Sequence, residues 1–249
     1  MDLVESALFQ GTRHPWETAR VDAVRRLLAG RRSGDGLRVL DVGCGDGYVS
    51  RMLFGGGVSA QADLVDTGFT EEAAARMDNA GGRFRFHRTM ESAGADYDLI
   101  LLLDVLEHAE DAAALLAAAA ARLAENGAML VTVPAFNALF SSHDRFLRHH
   151  RRYSLGQLTG LGTGLGLRVV GSGYLFFSLL APRIVSVILE RTGLVSGQAT
   201  GVGAWNGGPW VTGLISGYLG LENSIMIQLS GMGICPPGLT AWMICKKQL

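Results

Sequence analysis

Arg38-Val39-Leu40-Asp41-Val42-Gly43-Cys44-Gly45-Asp46-Gly47-Tyr48-Val49-Ser50 is the stretch on which the reading of this chain turns. Val39 to Val42 is a short apolar run with the length of a buried strand, and glycines follow at 43, 45 and 47 before a segment suited to a helix. The turn between them carries no side chain that would hold a ligand away from the backbone. The helix start beyond it leaves N–H groups without intrahelical partners. Two kinds of nucleotide ligand use such a turn, and spacing separates them. The dinucleotide fingerprint Gly-x-Gly-x-x-Gly needs a third glycine where this chain has Tyr48. Asp41 at the strand end would repel a pyrophosphate, whereas it suits a ligand with an ammonium group, as a bound amino acid has.

Val39 to Gly47, nine positions in a row, resemble motif I of the class I S-adenosylmethionine-dependent methyltransferases. The resemblance implies an α/β fold with a doubly wound, mostly parallel seven-stranded Rossmann-like sheet and S-adenosyl-L-methionine as cofactor. It places Asp41, Gly43, Cys44 and Gly45 against that cofactor. Chains of this kind often carry a Trp and an Arg shortly before the motif, which makes Trp16 and Arg20 further cofactor candidates. A plain covering helix is the alternative reading of that N-terminal segment, in which Pro15 suits the first turn and Ala19, Val21, Val24, Leu27 and Leu28 fall on one face.

The length of 249 residues is enough for one α/β domain with a sizeable core. We expect a helical cover over 1–36, a cofactor-binding core over 37–135, and a substrate-side segment with an apolar insertion over 136–249. The net charge of −1 speaks against binding nucleic acid through bulk electrostatics. Cys44, Cys235 and Cys245 form no close pair, so neither a disulfide framework nor a zinc site follows. The N-terminus lacks the pattern of a signal peptide, and a reducing cytoplasm is the expected compartment.

Further along, Tyr48 to Leu53 reads as a helix and Ser59 to Val65 as the second strand, closed by Asp66 and Thr67. An acidic residue about 20 positions after the glycines accepts hydrogen bonds from ribose hydroxyls in folds of this type. Asp66 is chosen over Asp63 because Leu64-Val65 gives it the apolar approach of a strand end; it would also serve as N-cap for a segment containing Glu71 and Glu72. Phe84 to His87 is the third strand. Thr89 and Met90 follow where relatives often place an acidic residue beside the adenine. Asp98 to Leu103 is an unbroken apolar strand, and Ala/Leu-rich 111–124 must be helical, with Gly127 placed to end it before a fifth strand over Ala128 to Val133.

Asp104-Val105-Leu106-Glu107-His108 ends the fourth strand and is similar to the corresponding step in ubiquinone-biosynthesis O-methyltransferases and their bacterial relatives. By that resemblance Asp104, Val105 and Leu106 lie near the cofactor and His108 faces the substrate; a histidine capping the following helix is the alternative. Four arginines and three histidines then fall between His143 and Arg152. This segment resembles the His-Asp and His-x-Arg-Arg-Tyr pattern of the same branch. It offers His143, with Asp144 to orient it, as a base, and His149, Arg152 and Tyr153 as contacts for a substrate with an anionic group. A solvated charged helix is the competing account of its outer arginines. Glu107, His108, His143 and Asp144 have the chemistry of a metal cluster, but no spacing fixes one, and no metal is expected.

From Val169 to Cys245 only Arg183, Glu190, Arg191 and Glu222 are charged, four of 77 residues. Within it Thr192 to Leu221 carries no charge over 30 residues, but its many glycines and polar residues disfavour a membrane-spanning helix. A strand over Arg168 to Phe177, helices near 179–190 and 211–229 and a last strand from Thr240 are expected, with 172–230 forming an apolar cover over the acceptor site. The same region is the candidate for a homodimer or peripheral membrane contact. Together these readings describe a methyltransferase acting on a small, hydrophobic acceptor. The alternatives are a protein of this fold that binds the cofactor for another reaction and, disfavoured by Tyr48 and Asp41, a nicotinamide-dependent oxidoreductase.

Overall fold

A computed structural model describes residues 13–30, 36–56, 59–70, 82–194 and 205–248. The elements in chain order are α1 (Pro15–Leu27), β1 (Leu37–Val42), α2 (Tyr48–Phe54), β2 (Ala60–Val65), β3 (Phe84–His87), β4 (Tyr97–Leu103), α3 (Ala112–Ala121), β5 (Leu123–Pro134), α4 (Ser142–Phe146), α5 (Leu155–Gly164), β6 (Leu167–Leu175), α6 (Leu180–Arg191), α7 (Gly208–Gly231) and β7 (Thr240–Lys247). The strands form one seven-stranded sheet in the order β3-β2-β1-β4-β5-β7-β6. β1 to β5 are parallel, and β7 inserts antiparallel between β5 and β6. The sheet class read from the sequence is the one observed.

Alternation along the central strands supplies two cores. Leu99, Leu101 and Leu103 of β4 pack with α1 and α2 on one face, while Ile100 and Leu102 pack with α3 and α5 on the other. Leu101 is fully buried, so Leu101→Ala would cost about 2–5 kcal/mol by removing apolar volume that the two layers cannot close over. Strand order reverses between β1 and β4, since β2 lies on one side of β1 and β4 on the other. Ligands of such sheets bind outside the carboxyl ends of the strands at that point.

Two expectations are corrected here. α3 stops at Ala121, and Gly127 sits inside β5, not at a helix end. The cause is the sheet: Leu123 pairs with Tyr97, the register then shifts, and a Cβ on Gly127 would stand 2.7 Å from the Tyr97 carbonyl oxygen. The apolar cover is the second. α7 buries Leu219, Asn223 and Met226 but turns Trp210, Leu214, Tyr218, Leu221 and Ile225 outward, away from the site. Among the described residues of 172–230, Leu179 and Arg183 at the start of α6 reach the cleft described below. Glu71, Glu72 and most of the glycine-rich connection before Trp210 lie outside the described residues. No described helix is long and apolar enough to cross a membrane.

Candidate active site

A cleft of about 780 Å³ opens at the carboxyl ends of the strands. Its floor is the β1 turn. Gly43, Gly45 and Gly47 all have positive φ, at 67°, 56° and 68°. At Gly43 glycine is required twice over, because a Cβ there would come within 2.6 Å of Val105 Cγ2. The Gly45 N–H donates to Asp66 Oδ2 at 2.9 Å, and the Gly68 N–H to Asp66 Oδ1 at 2.9 Å, which fixes the carboxylate at the end of β2. Asp63, its rival, is consumed inside the fold: Arg85, His87 and the Tyr97 hydroxyl all bond it at 2.7 Å. Burial would raise the Asp63 pKa, but those three bonds hold it low.

Asp41 lies beneath the turn, 2 % exposed, accepting from Ser50 Oγ at 2.6 Å. Burial pushes its pKa up to about 6, although the Ser50 bond and the Arg20 charge work against the rise. Opposite it, Asp104 has φ +57°, a backbone shape that costs energy outside glycine and collects at functional sites. Its carboxylate takes Arg20 at 2.9 Å and the Thr132 hydroxyl at 3.0 Å. Arg20 in turn lies over the Trp16 ring at 5.2 Å, so α1 contributes both residues to the cleft wall. Cys44, Thr67, Thr89, Met90 and Val105 complete this half. Leu106 does not join them: its side chain is fully buried in the core, and only its carbonyl is used, accepting from the Tyr153 hydroxyl at 3.1 Å.

The other half is built on Asp144. Ser141 caps α4, and its N–H and hydroxyl donate to Asp144 Oδ2. Arg183 of α6 donates to the same oxygen at 2.6 Å, while Arg152 Nε and His149 Nδ1 reach Oδ1 at 2.7 and 3.1 Å. Burial alone would raise the Asp144 pKa; the His149 bond and the two guanidinium charges instead hold it well below the usual carboxylate range. The residue is wholly buried behind the cleft wall, and the histidine it orients is His149, not His143. Tyr153 is corrected likewise, being buried with its hydroxyl committed to Leu106.

His108, His143, His149 and Arg152 face the cleft. The His108 and His149 rings meet edge to face, centroids 4.6 Å apart. Burial, then the nearby Arg183 charge, lowers the His143 pKa, which keeps that imidazole neutral at pH 7. Glu107 is fully buried without a hydrogen-bond partner for either oxygen among the described residues, and burial followed by Asp104 raises its pKa. Ligand atoms of Glu107, His108 and His149 lie within 4.8 Å of one another, so these three have the geometry to hold an ion, with His149 where the sequence suggested His143 and Asp144. Arg183, Leu179 and Thr240 are cleft residues that sequence reasoning missed. The one signal for Arg183 was its isolation in an otherwise nearly uncharged segment.

The cleft at the strand reversal, with a glycine turn in place of a pyrophosphate fingerprint and carboxylates at two strand ends, defines a nucleotide-cofactor enzyme of the methyltransferase kind. The chain belongs to the methyltransferase domain family: that family's model matches residues 13–171, and the family is part of the class I S-adenosylmethionine-dependent superfamily, whose cofactor is S-adenosyl-L-methionine. A ubiquinone biosynthesis O-methyltransferase of Azorhizobium caulinodans is 34 % identical over 105 residues, 39 % of this chain and 40 % of that protein. The matched part thus spans less than half of that relative. A putative sarcosine dimethylglycine methyltransferase from Galdieria sulphuraria has the same fold, with TM-score 0.56 and 18 % identity over 94 % of this chain and 86 % of that one. The cyclase SpnF also shares it, with TM-score 0.55 and 16 % identity over 92 % and 82 % of the two chains. Fold alone therefore does not fix the reaction.

Proposed function

We propose that this protein transfers the methyl group of S-adenosyl-L-methionine to a small, largely apolar acceptor. The observation that carries the reading is the meeting, in one cleft, of Asp66 held by the Gly45 amide, buried Asp41, and the imidazoles of His108, His143 and His149. The residues suit the cofactor. Asp66 would accept from the ribose hydroxyls, Asp41 and Asp104 would supply negative charge for the ammonium, and Thr89, Met90 and Val105 would flank the adenine. Trp16 and Arg20 close that side.

When bound, the cofactor supplies a sulfonium-activated methyl, so little covalent chemistry is left to the protein. Its own residues align the acceptor and take up a proton if the acceptor carries one. His149, held at Nδ1 by Asp144, is the best-oriented base, with His108 against it and neutral His143 across the wall. The matched relative's biosynthetic role in ubiquinone formation supports an apolar acceptor.

The test is incubation with methyl-labelled cofactor and a panel of hydroxylated aromatics and amines, read by mass spectrometry. A labelled product that disappears in the Asp66→Ala protein at low cofactor concentration is expected. Cofactor binding with rearranged but unmethylated products would point instead to a cofactor-assisted reaction of another class.

A further inference from the structure

We infer that the acceptor carries a single negative charge, a carboxylate in the first instance, which seats against Arg183 of α6. The inference deepens the methyltransferase reading and rests on it. Arg152 and Arg183 both line the cleft, and both lean on the same carboxylate, Asp144. Each Asp144 oxygen is already shared: Oδ1 between Arg152 and His149, Oδ2 between Arg183 and Ser141. The next acid along α6, Glu190, is taken by Arg145 and the Ser142 amide. Glu107 makes no hydrogen bond to either guanidinium. Counted by hydrogen-bonded partners, two guanidinium charges therefore share one carboxylate, and one positive charge at the acceptor side has no carboxylate bonded to it; Glu190 acts on Arg183 only through space.

Arg183 is the member positioned to use it. Its Nη2 is spent on Asp144, Ser141 Oγ and the Leu139 carbonyl and its Nε is sealed in the wall, which leaves Nη1 as the guanidinium nitrogen with no bond among the described residues and open to the cleft. Arg152, by contrast, spends Nε on Asp144 and Nη1 on the Ala135 carbonyl. An unpaired guanidinium N–H that opens onto a cleft is matched best by an anionic acceptor, since charge-assisted hydrogen bonds are the stronger kind. Leu179, one turn before Arg183, gives the same wall an apolar surface for the rest of the molecule. An excess of one charge selects a monoanion over a phosphate dianion, which would bring a second charge without a partner.

The probes are cinnamate, its neutral amide and phenyl phosphate, titrated by calorimetry into protein saturated with S-adenosylhomocysteine. Cinnamate should bind about 10–100-fold more tightly than the amide, the range for a hydrogen bond to a charged group. Arg183→Gln should erase that preference while the affinity for S-adenosylhomocysteine stays at the wild-type value. Arg183→Lys, which keeps the charge and the Asp144 partner, should keep a preference for cinnamate and serves if the Gln variant does not fold. Equal binding of acid and amide, or a preference that persists in Arg183→Gln, overturns the inference. Phenyl phosphate binding more tightly than cinnamate overturns the single-charge count. Failure of wild-type protein to bind S-adenosylhomocysteine would instead contradict the methyltransferase reading itself.

Discussion

The two halves of the cleft are built on opposite plans. The half proposed for the cofactor relies on backbone: a glycine turn at β1 presents amides, and Asp66 is held by the Gly45 amide of that turn and by the Gly68 amide. The half proposed for the acceptor relies on side chains that hold one another, with Asp144 of α4 gathering the capping Ser141, Arg183 from α6, and His149 and Arg152 from the segment between α4 and α5. A half made of backbone accepts a fixed ligand and tolerates little change in its turn. A half made of interlocked side chains is set by long-range pairs, and breaking one disturbs all.

The largest effect expected from breaking this contrast falls on turnover in the acceptor half. His149→Ala, His108→Ala or His143→Ala should lower the rate by ~10²–10⁴ where that residue is the base, with affinity for S-adenosylhomocysteine unchanged in calorimetry. Wild-type rates in all three would show that the acceptor needs no base. Turnover is expected to survive EDTA; loss that a divalent cation restores would put an ion among Glu107, His108 and His149.

Stability is the next target. Asp144→Asn leaves a buried and a half-buried guanidinium without their carboxylate and should cost about 3–5 kcal/mol in denaturant unfolding at pH 7. The sign of its pH dependence follows from a folded-state pKa held below the unfolded value. The stabilisation is present above about pH 4 and is lost as pH falls further, so the gap between wild type and variant should shrink there. A gap independent of pH down to 2 would mean that the carboxylate's charge is not what holds the cluster.

Smaller effects fall on the cofactor half. Asp66→Ala should weaken S-adenosylhomocysteine binding by about 1.5–3 kcal/mol. Unchanged binding, with loss in Asp63→Ala, would show that the wrong carboxylate was assigned. For Asp41, whose folded pKa is raised to about 6, an ammonium ligand favours the ionised form. Affinity should then be constant above that pH and fall by up to about tenfold per unit below it, with proton release detectable in buffers of different ionisation enthalpy. A flat profile from pH 5 to 8 would separate Asp41 from the ammonium.

The same contrast explains what could be read from the sequence. The cofactor half is local: Val39 to Gly47 and the run Asp98 to Leu103 carry their strand and turn chemistry within a few residues of each other. Asp66 could be preferred to Asp63 because Leu64-Val65 gives it the apolar approach of a strand end, and in the fold Asp63 is occupied by Tyr97 and His87. In the acceptor half, Arg183 bonds Asp144 across 39 residues, so nothing near either residue announces the pair. Asp144 beside His143 in sequence suggested a dyad that the α4 capping turn breaks, sending the carboxylate to His149 instead. Gly127 was misread because a helix-stop signal and a close strand approach use the same residue. An apolar helix face lining a site and one facing outward have identical composition, which is why α7 was expected over the acceptor.

The central claim, that the β1 turn and its carboxylates form a site for S-adenosyl-L-methionine, is tested most directly by calorimetric titration of the wild-type protein with S-adenosylhomocysteine and, separately, with NAD. The account predicts saturable one-to-one binding of S-adenosylhomocysteine and no heat from NAD beyond dilution. Saturable binding of NAD with none of S-adenosylhomocysteine would contradict it.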